Sequence, residues 1–224
     1  MQKAKIGVLM DQQTAQKRWA FGLNVFETFA SEVLAHAGIP HEMINNTAEV
    51  LSKRPDVLIA ALVADQEETK TALSQYVEEG GTIISFAGLN ELVHILEGRP
   101  STPVATGYAK VDHGEETLQL RFLHAVTWTG VQADETRGEL FSEKPNGDQA
   151  GPLIQSFTRG KGKWIHWSVD LFGTIVKIQQ GEQPVLQDGV PAPDGSAMVN
   201  EGILKADDQI ALHWEYDRSY TDSG

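Results

Sequence analysis

Apolar residues in the first half of the chain follow two alternating rhythms. Short runs that are apolar at nearly every position, AKIGVLM over 4–10, DVLIAALV over 56–63 and TIISF over 82–86, leave little polar face for water, which is how strands buried on both sides of a parallel sheet read. Between them the spacing becomes helical. In residues 24–37, Val25, Phe26, Phe29, Val33 and Leu34 recur three and four apart, with Asn24 placed to cap and Gly38 to stop the helix. Pro40 resets the chain for a short strand over 41–44 and a short helix over Thr47–Lys53. Residues 67–79 open with Glu67 and Glu68, the charge that a helix N-terminus favours, align Leu73, Tyr76 and Val77, and close at Gly80-Gly81. Residues 89–97 give a further amphipathic helix. Repeated strand–helix units predict a flavodoxin-like three-layer α/β sandwich with a mostly parallel sheet, because parallel neighbours need crossovers and these are right-handed.

After Pro100 the helical spacing vanishes. Segments 107–113, 117–127, 138–142, 153–158 and 163–169 read as strands separated by turn residues, which predicts an added antiparallel portion over about 101–169 with one strand returning to the main sheet. Arg159-Gly160-Lys161-Gly162 reads as a hairpin connection. Residues 171–180 (LFGTIVKIQQ) predict a last helix. The expected division is an α/β domain over 1–182 and an extended polar tail or linker over 183–224. Within the tail only 209–214 is apolar enough to pack, and its Thr-Asp-Ser-Gly ending suits a chain cut from a longer protein.

Cysteine is absent, which removes disulfides, thiolate metal sites and a thiol nucleophile. The net charge is −13, and residues 55–150 hold six basic against sixteen acidic residues. Such a surface repels phosphates, so neither nucleic acid nor an anionic membrane is an expected partner. No run approaches the ~18 uncharged apolar residues of a membrane-spanning helix. A soluble, cytoplasmic chain is the default expectation, with an exported parent whose leader was trimmed as the alternative.

Residues 56–92, a strand, a helix ending YVEEGGT, the strand TIISF and then AGLNEL, resemble the class I glutamine amidotransferase-like fold. The resemblance is greatest to non-catalytic members such as the amidotransferase-like middle domain of family 42 β-galactosidases, and looser to ThuA-like proteins. GKGKWIHWSVDL over 160–171 is similar to the glycine hairpin, strand and Asp-Leu near the end of that domain, so the resemblance spans roughly residues 4–180. A working amidotransferase carries its cysteine on the strained turn between a strand and a helix. Laying the family's Gly-x-Cys-x-Gly over residues 84–88 puts Phe86 in the nucleophile's place, and its His-Pro-Glu falls on Ser168-Val169-Asp170. Only Gly88 survives, so glutamine hydrolysis by that mechanism is excluded. The resemblance therefore implies a degenerate, non-catalytic domain serving as an accessory, ligand-binding or assembly module beside other domains of a parent protein, one related to carbohydrate.

Open α/β sheets bind ligands beyond the carboxyl ends of their strands, which selects residues 11–23, 45–46, 64–66 and 87–90, with Asp170 as a fifth contributor. Residues 11–23 read as a long βα loop, and long loops are often functional. A pocket of Asp11, Arg18, Trp19, Asn90 and Glu91 would hold a sugar by ring stacking and hydroxyl hydrogen bonds, or a small carboxylate at Arg18; the alternative is a loop that packs on a neighbouring domain or subunit. Ser85 lies in a strand with no base assignable from sequence, and reads as a core hydroxyl. The scattered histidines lack a metal spacing, and Asp112-His113-Gly114-Glu115-Glu116 reads as a hairpin turn, so no metal is expected. No phosphate-cradling glycine motif follows a strand, so no nucleotide cofactor is expected either. Trp128, Trp164 and Trp167 read as half-buried covers between layers, with an aromatic carbohydrate-binding surface as the alternative. Two other readings stand beside the accessory module. One is a ThuA-like or other hydrolase with its site moved to Asp11, Asn90, Glu91 and Asp170. The other is a structural domain forming a homo-oligomer through its antiparallel strands or the face of residues 171–178.

Overall fold

The computed structural model describes residues 4–20 and 25–180, apart from the side chains of residues 90, 91, 179 and 180. The tail expected over 183–224, including 209–214, lies outside the described residues, as do Phe21 and Asn24. In chain order the first half comprises β1 (Ile6–Met10), α1 (Gln12–Ala20), a 3-10 turn (Phe26–Phe29) leading into α2 (Ala30–His36), β2 (Glu42–Ile44), α3 (Thr47–Lys53), β3 (Val57–Leu62), α4 (Glu67–Glu78) and β4 (Thr82–Phe86). A second 3-10 segment (Asn90–Leu96) precedes β5 (Arg99–Pro100), β6 (Gly107–His113), β7 (Glu116–Phe122), β8 (Trp128–Thr129), β9 (Glu135–Ser142), β10 (Gln149–Arg159), β11 (Gly162–Trp167) and α5 (Leu171–Gln180).

Nine strands form one sheet in the order β2-β1-β3-β4-β11-β10-β9-β6-β7. The first five are parallel to their neighbours and the rest antiparallel, so the chain is a flavodoxin-like α/β sandwich with an antiparallel extension. β11 is the joining strand, parallel to β4 and antiparallel to β10. Alternation along the strands sends side chains to two covered faces. Leu9, Leu58, Ile83 and Trp164 meet Leu73, Tyr76 and Val77 of α4 and Leu92, Val93 and Leu96 of the second 3-10 segment. Val8, Ile59, Ala61 and Phe86 meet Ala30 and Leu34 of α2 and Phe172 of α5. A third cluster, with Ala109, Phe122, Leu140, Leu153 and Val169, fills the antiparallel half.

Four expectations need correcting. Residues 12–20 form a helix where a loop was expected: Asp11 caps it, its Oδ1 accepting from the Thr14 N–H at 2.7 Å, and QQTAQKRWA is rich in helix formers. The helix expected over 24–37 is divided, because Thr28 donates both its N–H and its hydroxyl to the Val25 carbonyl, at 3.1 and 2.7 Å, and so tightens the first turn. Residues 90–96 wind as a 3-10 segment, and its buried Leu92, Val93 and Leu96, with Leu89 just before it, include pairs three apart. The strand expected over 117–127 stops at Phe122, since 123–127 turn away to close the carboxyl end of β11, Val126 N–H donating to the Ser168 carbonyl at 2.7 Å.

Candidate functional site

The corner after β4 is where a catalytic relative would keep its reactive atom. Phe86 ends the strand and is 7% exposed, with its ring centroid 5.0 Å from that of Phe172 on α5. The Ala87 N–H donates to the carbonyls of Trp167 and Val169, at 3.1 and 3.3 Å. Gly88 then takes φ +101°, a turn that L side chains rarely make. Residue 86 therefore does lie at a strand-to-helix bend, and an aromatic ring plugs the space between sheet and α5 there. Ser168, at the position of the family's histidine, is buried and donates its hydroxyl to the Pro152 carbonyl at 2.9 Å.

One residue back, the parallel register sets Ser85 beside His166. Sequence offered Ser85 no base, yet its Oγ lies 3.1 Å from His166 Nδ1. The hydrogen bonds fix the proton positions. His166 Nε2 lies 2.9 Å from the Val126 carbonyl, which can only accept, so Nε2 carries the proton and Nδ1 accepts from the Ser85 hydroxyl. Trp164 Nε1–H in turn donates to Ser85 Oγ at 2.9 Å. Both residues are fully buried, and Trp128 stacks flat on the imidazole, 4.0 Å between ring centroids and 11° between planes. Burial lowers the His166 pKa to about 4. A substrate has no route to this pair, so Ser85 is a satisfied core hydroxyl, held by a base that strand order supplies.

Titratable chemistry gathers instead beyond the carboxyl ends of the parallel strands. Arg18 on α1 pairs with Glu27 of the first 3-10 turn, Nη1 to Oε1 3.0 Å. Burial raises the pKa of Glu27, and the Asp170 charge adds to the effect while Arg18 opposes it. Burial likewise raises that of Asp170, against a backbone hydrogen bond and the charges of His124 and Lys177. Asp170 caps α5, its Oδ1 accepting from the Gly173 N–H at 3.0 Å. Three elements thus bring Arg18, Glu27 and Asp170 into one electrostatic group.

Of the sequence candidates, Arg18 and Asp170 belong to this group. The Asp11 carboxylate turns into the first turn of its own helix, and Trp19 stands 50% exposed on the same helix. Asn90 and Glu91 begin the 3-10 segment after the Phe86 corner, and their side chains lie outside the described residues. Glu27 was not among the candidates, although an acid opening a predicted helix just after the selected segment was the available signal. Two carboxyls that hold protons above the ordinary carboxylate range, one of them paired with a guanidinium, suit proton exchange or hydrogen bonding to hydroxyl-rich ligands. Among the described residues no three His, Asp or Glu side chains group as a metal site requires. No helix among them is long and apolar enough to cross a membrane.

No protein-family model matches the sequence, and no curated protein matches it. Solved structures do. A β-galactosidase from Bacillus circulans sp. alkalophilus is 18% identical, over 81% of this chain and 32% of its own, at a TM-score of 0.57. Gan42B, a GH42 β-galactosidase from G. stearothermophilus, is 18% identical over 75% of this chain and 28% of its own, at 0.54. A putative ThuA-like protein from Bacteroides uniformis is 16% identical over 75% of this chain and 84% of its own, at 0.48. The chain spans about a third of the length of the β-galactosidases it matches. What it shares with them is the fold, that of the amidotransferase-like domain which family 42 β-galactosidases carry.

Proposed function

We propose that the chain is a catalytically degenerate amidotransferase-like domain, working as an accessory, ligand-binding or assembly module of a larger, carbohydrate-handling protein. The observation that carries this reading is Phe86, a ring packed on Phe172 at the bend where the mechanism needs a thiolate. Ser168-Val169-Asp170 in place of the base and its orienting acid supports it, as does the sealing of Ser85 and His166 in the core. The carbohydrate link draws on the names of the matched β-galactosidases. The ligand surface would be Trp19 and Arg18 on α1 with Asp170, which offer a ring face, a guanidinium and a carboxyl. Two measurements on the purified chain test this. Incubation with glutamine is expected to release no ammonia, and release would overturn the degenerate reading. A thermal-shift series with galactose, lactose and small carboxylates is expected to give a stabilising ligand whose effect Trp19→Ala abolishes; no shift with any of them removes the ligand-binding role.

A relocated hydrolase site is favoured by one observation, the raised pKa values of both Glu27 and Asp170. A carboxyl whose pKa is raised keeps its proton to higher pH, as a general acid needs to. On this reading Asp170→Asn abolishes turnover of a chromogenic galactoside, and a wild-type chain without turnover retires it.

A further inference from the structure

A second serine–histidine pair lies within reach of solvent. α2 ends in a turn at Gly38, which takes φ +69° while its N–H donates to the Ala35 carbonyl at 3.0 Å and the Ile39 N–H reaches back to the Leu34 carbonyl at 2.9 Å. Glycine suits that left-handed turn, and Ile39 packs against the cluster that holds Leu34, so the chain is folded back along its own helix. His41 thereby comes beside Ser31 of α2, with Oγ 2.8 Å from Nε2. Its Nδ1 lies 2.9 Å from the Ile39 carbonyl. A carbonyl only accepts, so in the neutral ring Nδ1 carries the proton and Nε2 accepts from the Ser31 hydroxyl. A nucleophile, a base within hydrogen-bond reach, and a third group that fixes the base's tautomer and orientation make up the arrangement that activates a serine.

Ser85 and His166 show the same pattern with the two ring nitrogens exchanged, but sealed in the core. Ser31 and His41 are both partly exposed. His41 also lines a pocket of about 360 Å³, with apolar walls from Ile6, Pro40, Ile44 and Pro55. The size is that of a small-ligand site, and such walls suit the apolar part of a small ester.

We propose that Ser31 and His41 form an acyl-transfer site for small esters, separate from the group of Arg18, Glu27 and Asp170 and from the lost glutamine chemistry. Ser31 Oγ bonds to the acyl carbon as its proton passes to His41 Nε2; the bond from that carbon to the leaving oxygen then breaks, and the leaving oxygen takes the proton. A water that gives a proton to Nε2 next attacks the acyl-serine, which releases the acid while the proton returns to Ser31 Oγ. The pocket beside His41 would seat the leaving alcohol. Labelling of the purified full chain with a fluorophosphonate probe, mapped by peptide mass spectrometry, tests the proposal together with hydrolysis of p-nitrophenyl acetate. The probe is expected on Ser31. Ser31→Ala should abolish that adduct and bring hydrolysis down to the uncatalysed rate, and alanine suits a helix, so this variant reports on chemistry rather than folding. His41→Gln, with its thermal unfolding unchanged, should slow labelling of Ser31 about a hundredfold, the contribution of a general base. No adduct on Ser31 in the unaltered chain overturns the proposal. So does hydrolysis that survives Ser31→Ala, or labelling of His41→Gln at the wild-type rate.

Discussion

Acid should weaken this fold through one imidazole. His166 is fully buried, hydrogen-bonded at both nitrogens and roofed by Trp128, and the groups facing it, Ser85, Trp164, Trp128 and the Val126 carbonyl, carry no charge. Its pKa falls from the usual 6.5 to about 4 because burial disfavours the cation. Between those values the unfolded chain takes up a proton that the folded chain refuses. The stabilisation is therefore complete above pH 6.5 and is lost as pH falls through about 4. Each tenfold change in proton affinity is worth ~1.4 kcal/mol, so the whole effect is about 3 kcal/mol, and about 2 kcal/mol of it falls between pH 7 and pH 5. Glu27 and Asp170 work the other way: their raised values give stability that is present below the ordinary carboxylate range and is lost as pH rises through the raised ones. Comparison with His166→Gln isolates the histidine. Urea unfolding at the two pH values should show wild type losing about 2 kcal/mol more than the variant. Equal losses would show that the imidazole does not titrate as argued.

Other expectations follow from packing and from the carboxyl pair. Leu73→Ala, in the fully buried face of α4, should lower unfolding free energy by about 2–5 kcal/mol in urea titrations. Gly162→Ala should cost about 1–3 kcal/mol, because a methyl there meets the carbonyls of Val77 and Gly81, and thermal unfolding will register it. Asp170→Asn removes a charge that raises Glu27, so the Glu27 pKa measured by NMR should drop; an unchanged value would show that the two carboxyls do not sense one another.

The parallel half was legible because β1 and β3 are apolar without interruption and β4 nearly so, and few other structures tolerate such runs. α1 was not, since only Ala15 of its nine residues is buried and the helix therefore has no apolar stripe to show. Its evidence was local, a capping Asp11 and good helix formers. Arg18 and Asp170 were visible as charges at strand ends. Glu27 escaped because a 3-10 turn brings it to Arg18, and such a turn has no distinctive periodicity. His166 lies 81 residues from Ser85, and their meeting depends on β11 inserting beside β4, which no local pattern encodes. The 3-10 winding of residues 90–96 and the end of β7 were missed for a related reason, namely that the closing contacts come from across the chain.

β4 and β11 are parallel nearest neighbours, which makes everything from residue 87 to residue 161 a single connection between them. Where a sandwich of this kind ordinarily spends one helix on that step, this chain has swollen the link into a lobe of its own, with its two ends rooted side by side in the middle of the sheet. Such a lobe can be lengthened, shortened or remodelled at its far rim while the five-stranded parallel base keeps its own bonding. Variation in what the domain touches is thus freed from the part that keeps it folded.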